Sequence, residues 1–422
     1  MTVNSPPQAN CVDNNETNLL TFESAQQAIL NQVSILKGTQ RIAINQAKGR
    51  CLAENIISPR NVPPHNNSAM DGYALHHADL PTNGNNKHLK IYATLIAGQQ
   101  LNTPCPTGYC VRIMTGAAMP NNLDTVIMQE HCTQHDNSIA ITDRHHRGQN
   151  VRLAGEDIIQ GQTILKQGKV LSPADIGLLA SLGITEINVT RKLRVAIAST
   201  GNELCDISQP LPQNAIYDSN RYSLLAALDR NDIELIDLGI IADNKTELLT
   251  RFTEAAKHAD IIISSGGVSV GSADFTKDAL SAQGNINFWK VAIKPARPIA
   301  FGTLNQCLFF GLPGNPVAVL VSFYQFVLPA ITKILGITDK PIAPILKARC
   351  LTPIHKKSGR TEIQRGIVTQ DESGELQVHP TKQGSGILSA MSAANAFIIL
   401  PHDSKDINQH EWVDVQLFSG LL

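Results

Sequence analysis

The chain has 422 residues, 35 basic and 36 acidic side chains, and 42% apolar residues. At roughly 150 residues per domain this length suggests about three domains. A charged fraction of 17% argues against a disordered chain, and a net charge of -1 with no Lys/Arg stripe argues against a nucleic-acid partner.

Residues 1–17 are expected to form a flexible tail. It is rich in Asn, Pro and Thr and lacks the basic-then-apolar order of a secretory signal. Ala25, Ala28, Ile29, Val33 and Leu36 recur at helical spacing and predict a helix over Phe22–Leu36. Residues 18–60 and 151–188 are expected to form an elongated mixed subdomain, with a helix over Pro173–Leu182 that Ser172 can cap and Gly183 can stop. Between them, 61–150 reads as an inserted β-rich subdomain: short runs such as Leu89–Ile96 and Asp124–Met128 alternate with turn-rich stretches.

Residues 189–340 carry strands alternating with helices: Val195–Ala198, Arg221–Arg230, Glu234–Ile241, Lys245–Lys257 and Ile261–Ser264. That alternation is the signature of a parallel α/β module. Val317–Ile331 is the most apolar stretch, about 15 residues against the roughly 20 needed to span a bilayer, and reads as a buried helix rather than a membrane anchor. From 341 to 422 helices are expected to vanish in favour of a C-terminal all-β, barrel-like subdomain. The fold class is therefore a multidomain α/β protein with a central parallel α/β module. The eight cysteines form no C-x-x-C pair and read as reduced thiols of a cytoplasmic protein.

Ligands of open parallel sheets sit beyond the carboxyl ends of the strands. Three such ends carry acidic residues: Ser199–Glu203, Asp243, and Ser264–Asp274. If the strands are parallel, Glu203, Asp243 and Asp274 reach one rim, and gathered carboxylates suit a hard cation such as Mg²⁺. Gly266, Gly267 and Ser269 leave room for backbone N–H groups to approach a phosphate, although the segment reads equally as a tight connection with Asp274 as a helix cap. On a single strand Lys290 and Lys294 share a face. With Arg297 they form a cationic edge for phosphate or an oxyanion, or a solvated edge strand. Asn315 suits an N-cap and Pro316 a first helical turn. Asp71 and Asp157 read locally as turn residues, Thr115 as the exposed end of a strand, and Arg365 as a surface arginine or a phosphate clamp. H-E-x-x-H and Walker-type motifs do not occur.

Six stretches in this order are specific together: Ser68–Ala74, Arg112–Ala117, Ser199–Leu204, Gly266–Gly271, Lys294–Pro298 and Gly311–Pro316. Over roughly residues 20–420 the chain resembles the MoeA family, molybdopterin molybdenumtransferases related to the C-terminal domain of gephyrin. The resemblance implies Mg²⁺-dependent insertion of molybdate into adenylylated molybdopterin with release of AMP. It further implies a cytoplasmic homodimer and contact with the molybdopterin adenylyltransferase, without nucleic acid or membrane. Carried over by motif, Glu203, Asp243 and Asp274 would hold the metal, and Lys290 and Lys294 the oxyanion or phosphates. Gly266, Gly267 and Ser269 would bind substrate, Pro313 and Pro316 would shape the rim, and Arg365 and Ser385 would hold molybdate or substrate. Asp71, Thr115 and Asp157 would come from the other subunit. The family's K-P-G-K-P stretch carries Ala296 and Arg297 here, adding a Cβ where the backbone needs to bend and changing donor geometry. Two other activities compete: adenylylation of molybdopterin, which a lone module of about 150 to 190 residues would suit better, and a non-catalytic gephyrin-like scaffold.

Overall fold

Val195–Ala198 is apolar at every position because both faces of its strand are covered. In the computed structural model, which describes residues 19–81, 86–142, 145–267, 284–339 and 344–419, Val195 and Ile197 enter one core while Ala196 and Ala198 enter another. The elements around it are α1 (Phe22–Gln32), β1 (Leu193–Thr200), α2 (Ser219–Ala227), β2 (Ile233–Ile241), α3 (Lys245–Ala255), β3 (Ile261–Ser265), β4 (Gly284–Lys290), β5 (Pro298–Leu304), β6 (Cys307–Leu312) and α4 (Pro316–Ile334). The sheet order is β2-β1-β3-β6-β5-β4. The first four strands are mutually parallel, and the β6–β5 and β5–β4 pairings are antiparallel. Phe22 and Ile29 of α1, Leu224 of α2 and much of α4 fill one core, while Leu248 and Phe252 of α3 fill the other. The expected tail over 1–17 lies outside the described residues.

Helix α4 is 19 residues long and apolar enough by composition to cross a membrane, yet Val317, Val319, Val321, Phe323 and Val327 are packed in the core. The helix widens into a π turn over Phe323–Val327. Pro329 has no N–H to offer the Gln325 carbonyl four residues back. The Gln26 side chain of α1 donates there instead, at 2.7 Å, so the proline is accommodated without a buried orphan acceptor.

Beyond the sheet, five strands close on themselves: Ile345–Cys350, Thr361–Gln370, Leu376–Pro380, Ala396–Leu400 and Trp412–Leu417. Thr361–Gln370 is long enough to pair with both Leu376–Pro380 and Ala396–Leu400, which closes the ring and removes the open edges. Alternate residues such as Ala348, Cys350, Val413 and Val415 fill its core. Two features differ from the sequence expectation. A six-residue helix, Leu388–Ala393, interrupts the all-β region, held by buried Ala390 and Met391. The stretch expected as one strand from Trp289 to Lys294 is two: β4 ends at Lys290, and Ile293–Lys294 joins the barrel beside Thr361–Glu362.

The chain divides into two compact units. All of the above belongs to one, which comprises Met1–Ala53, Gly168–Ser172 and Asn188–Leu422. The other comprises Glu54–Gln167 and Pro173–Ile187. It carries a six-stranded sheet, in the order Thr125–Met128, Gly72–Leu75, Tyr109–Ile113, Lys87–Leu95, Ser138–Ile141, Cys132–His135, and the helix Pro173–Ser181. Gly183, at φ 74°, follows that helix, and its N–H bonds the Ala180 carbonyl.

Candidate active site

The four parallel strands deliver their carboxyl ends to one rim. Glu203 follows β1, Asp243 follows β2, Gly266 and Gly267 follow β3, and the Pro313–Pro316 loop follows β6. Together with Lys294–Pro298 and barrel residues they line a cavity of about 760 Å³. Close approach of the strand ends explains the glycines: a Cβ on Gly266, at φ 88°, would lie 2.4 Å from the Thr200 carbonyl oxygen. A Cβ on Gly201 would lie 2.6 Å from a Glu203 carboxylate oxygen.

Glu203 is exposed and Asp243 half-buried, and neither has a cationic partner among the described residues. Burial pushes the Asp243 carboxyl above its ordinary range, and the nearby Glu203 charge pushes it further. Two unneutralised carboxylates that repel each other are a donor set suited to a hard divalent cation. Asp274 and Ser269 lie outside the described residues.

The cationic side is built by the barrel. Lys294 is exposed, and its ammonium is aimed by a buried Glu362 carboxylate at 3.2 Å, itself held by Gln364 at 2.9 Å. Arg365 is 2% exposed and has no carboxylate partner among the described residues. Its Nη2 donates to the Lys382 and Gly384 carbonyls at 3.1 Å each, and its Nε is buried without a partner. Burial lowers its pKa, but a guanidinium stays charged, so the cavity wall holds an uncompensated cation. Arg297 also buries a partnerless Nε in this wall. The Ser385 carbonyl accepts the N–H of Val317, the residue after Pro316, at 3.0 Å. Ala296, between Lys294 and Arg297, takes a φ of 80°. The backbone therefore bends where the resemblance asks for glycine.

Of the other expected residues, Lys290 departs from the reading, and Asp71, Thr115 and Asp157 belong to the second unit. Lys290 ends β4 opposite Pro298 and does not line the cavity, so it does not share a strand face with Lys294. In the second unit, Thr115 gives both its N–H and its hydroxyl to one Asp71 oxygen, at 2.7 Å each, which holds the Asp71 carboxyl below its ordinary range. Asp157 is exposed, with its N–H on the Val62 carbonyl at 3.0 Å. His76, His77 and Asp124 have donor atoms within 4.8 Å of one another. Both Asp124 oxygens are already taken, by the His77 N–H and Thr125 on one side and by the His77 ring and Arg147 on the other. The group is thus an ion-pair knot rather than a cation site.

Residues missed by sequence reasoning support the rim from below. Asp218 caps α2, accepts the Ser199 hydroxyl at 2.9 Å and binds Arg221 at 3.1 Å. Arg221 also reaches Asp206 at 2.5 Å, so with Asp218 it pins both ends of the excursion between β1 and α2, and it reaches Asp237 of β2 at 2.6 Å. Asn220 donates to the Gly314 carbonyl at 2.7 Å and fixes the rim loop. The Asp-Ser-Asn start of α2 was the one available sequence signal, as an N-cap.

A four-stranded parallel core with helices on both faces, a polar cavity at its carboxyl edge and a closed barrel beside it define an α/β small-molecule enzyme fold rather than a binding module for polymers. Three family descriptions match in order: the MoeA N-terminal region (domain I and II) at 20–183, a probable molybdopterin binding domain at 196–333, and the MoeA C-terminal region (domain IV) at 347–418. The molybdopterin molybdenumtransferase of Haemophilus influenzae is 41% identical over 96% of this chain and 100% of its own. That of a Nostoc species is 36% identical over 86% of this chain and 85% of its own. The crystal structure of the molybdopterin biosynthesis moeA protein from Pyrococcus horikoshii OT3 superposes with a TM-score of 0.83 at 28% identity, covering 95% of this chain and all of that one. The chain belongs to the MoeA family.

Proposed function

We propose that this protein inserts molybdate into adenylylated molybdopterin and releases AMP in a Mg²⁺-dependent step of molybdenum cofactor biosynthesis. The observation that carries the reading is the division of charge in one cavity: unpaired Glu203 and Asp243 on the α/β rim, and Lys294 with an uncompensated Arg365 on the barrel side. Glu203 and Asp243 would hold the magnesium ion. When bound, the ion neutralises pyrophosphate charge and assists departure of AMP. Gly266 and Gly267 let backbone N–H groups approach a phosphate. Arg365 and Ser385 hold the molybdate, and Lys294, oriented by Glu362, stabilises charge on phosphate or molybdate oxygens. Pro313 and Pro316 shape the rim. The substrate brings its own dithiolene sulfurs, which accords with a cavity whose described lining contains no cysteine.

The protein works as a cytoplasmic homodimer in this reading, with Asp71, Thr115 and Asp157 supplied across the subunit boundary. It receives its substrate by contact with the adenylyltransferase. The test is single-turnover AMP release from adenylylated molybdopterin with molybdate and Mg²⁺. Wild-type protein releases AMP, and Glu203→Ala stops release while circular dichroism stays unchanged. Folded wild-type protein that releases none would point to the scaffold role instead.

A further inference from the structure

The charged groups account for the phosphates, the metal and the oxyanion, but they give nothing to the flat rings at the two ends of the proposed substrate. Among the described lining residues one side chain is aromatic, Tyr217. It is 43% exposed, and its neighbour Ile216 is 57% exposed. Leaving the Tyr217 ring in water costs hydrophobic free energy that a flat ligand face would recover.

Their positions are set by backbone rather than by packing. Ile216–Tyr217 pairs in parallel with Leu204–Cys205. The Ile216 N–H donates to the Glu203 carbonyl at 2.8 Å, and the Asp218 N–H to the Cys205 carbonyl at 3.0 Å. The Tyr217 hydroxyl donates to the Gln209 carbonyl at 3.3 Å, which restrains the ring plane. The shelf is therefore tied to Glu203 itself, and the Arg221 cage fastens the excursion that carries it.

We infer that Tyr217 is the surface on which a planar two-ring heterocycle of the substrate lies, while the adjoining rim holds the phosphates. The inference rests on the proposed substrate. Adenine and pterin share the required chemistry, a flat nitrogen heterocycle with an exposed π face, and stacking on an aromatic side chain does not depend on ring identity. Tyr217 then governs affinity for the ring and leaves phosphate recognition alone.

Calorimetric titration of the intact protein with AMP, with ribose 5-phosphate and with free 6-hydroxymethylpterin tests this without any turnover. A failure of AMP release in the assay above is thereby kept separate. Tyr217→Ala should weaken AMP or the pterin by about ten-fold, a size typical of one lost base stack, while ribose 5-phosphate binding stays within two-fold. Tyr217→Phe should bind like wild type. Tyr217→Leu, which keeps apolar bulk, should fall between, and it stands in should the alanine variant fold poorly. Loss confined to AMP assigns the shelf to adenine, and loss confined to the pterin assigns it to that ring. Unchanged affinity for both rings, equal weakening of ribose 5-phosphate, or no measurable binding of either ring by wild type would overturn the inference.

Discussion

The two ends of the parallel sheet treat carboxylates in opposite ways. At the amino end, Asp260 just before β3 is gripped by Arg191 at 2.8 Å through both terminal guanidinium nitrogens, and by Arg194 at 3.0 Å. Burial alone would raise the Asp260 carboxyl, but these hydrogen bonds outweigh it and hold the group well below the usual range. At the carboxyl end, Asp243 has no cationic partner and is pushed the other way by burial and by Glu203. A saturated carboxylate holds the fold together. A raised one without a cationic partner is maintained at a cost to stability.

The comparison breaks most sharply at Asp243. Asp243→Asn should lower AMP release at least about 100-fold, as expected for loss of a group that positions transition-state charge. The urea midpoint should be no lower than wild type, because a carboxylate whose ionisation the fold opposes is gone. Asp260→Ala should do the reverse. It strands two partly exposed arginines, so the loss should be about 2 kcal/mol in urea unfolding, below the range for fully buried pairs. A depressed folded pKa stabilises above the ordinary carboxylate value and loses that contribution as pH falls. The gap between wild type and Asp260→Ala should therefore narrow below about pH 4. The smallest effect belongs to Ala296, which sits at φ 80°. Ala296→Gly removes a left-handed strain of about 1–2 kcal/mol but adds unfolded-state entropy of roughly half that. A gain of about 0.5 kcal/mol in the same unfolding measurement is expected.

Much of the α/β module was legible because its elements advertise themselves locally. Val195–Ala198 reads as a strand covered on both faces, Leu224 and Leu228 as a helix stripe, and Glu203 and Asp243 stand directly after strands whose ends converge. What stayed hidden depends on partners distant in the chain. Lys290 and Lys294 read as one strand face because nothing local announces that the Val291 N–H binds the Arg297 carbonyl or that the Ala292 N–H binds the Leu20 carbonyl. Those bonds end one strand and start another. The Lys294 partner Glu362 is 68 positions away. The helix Leu388–Ala393 is shorter than any periodicity can reveal, and its burial against the rest of the unit decides it. The Arg221 cage needs Asp206, Asp218 and Asp237 from a loop, a cap and a strand, and no spacing rule gathers them.

The central claim is that the carboxyl-end carboxylates hold a divalent cation and the amino-end one does not. Titration with Mn²⁺, followed by the loss of its free-ion electron paramagnetic resonance signal, tests this directly. Wild type and Asp260→Ala should bind Mn²⁺ alike, and Asp243→Asn should bind at least ten-fold more weakly. Equal Mn²⁺ affinity in wild type and Asp243→Asn would contradict it.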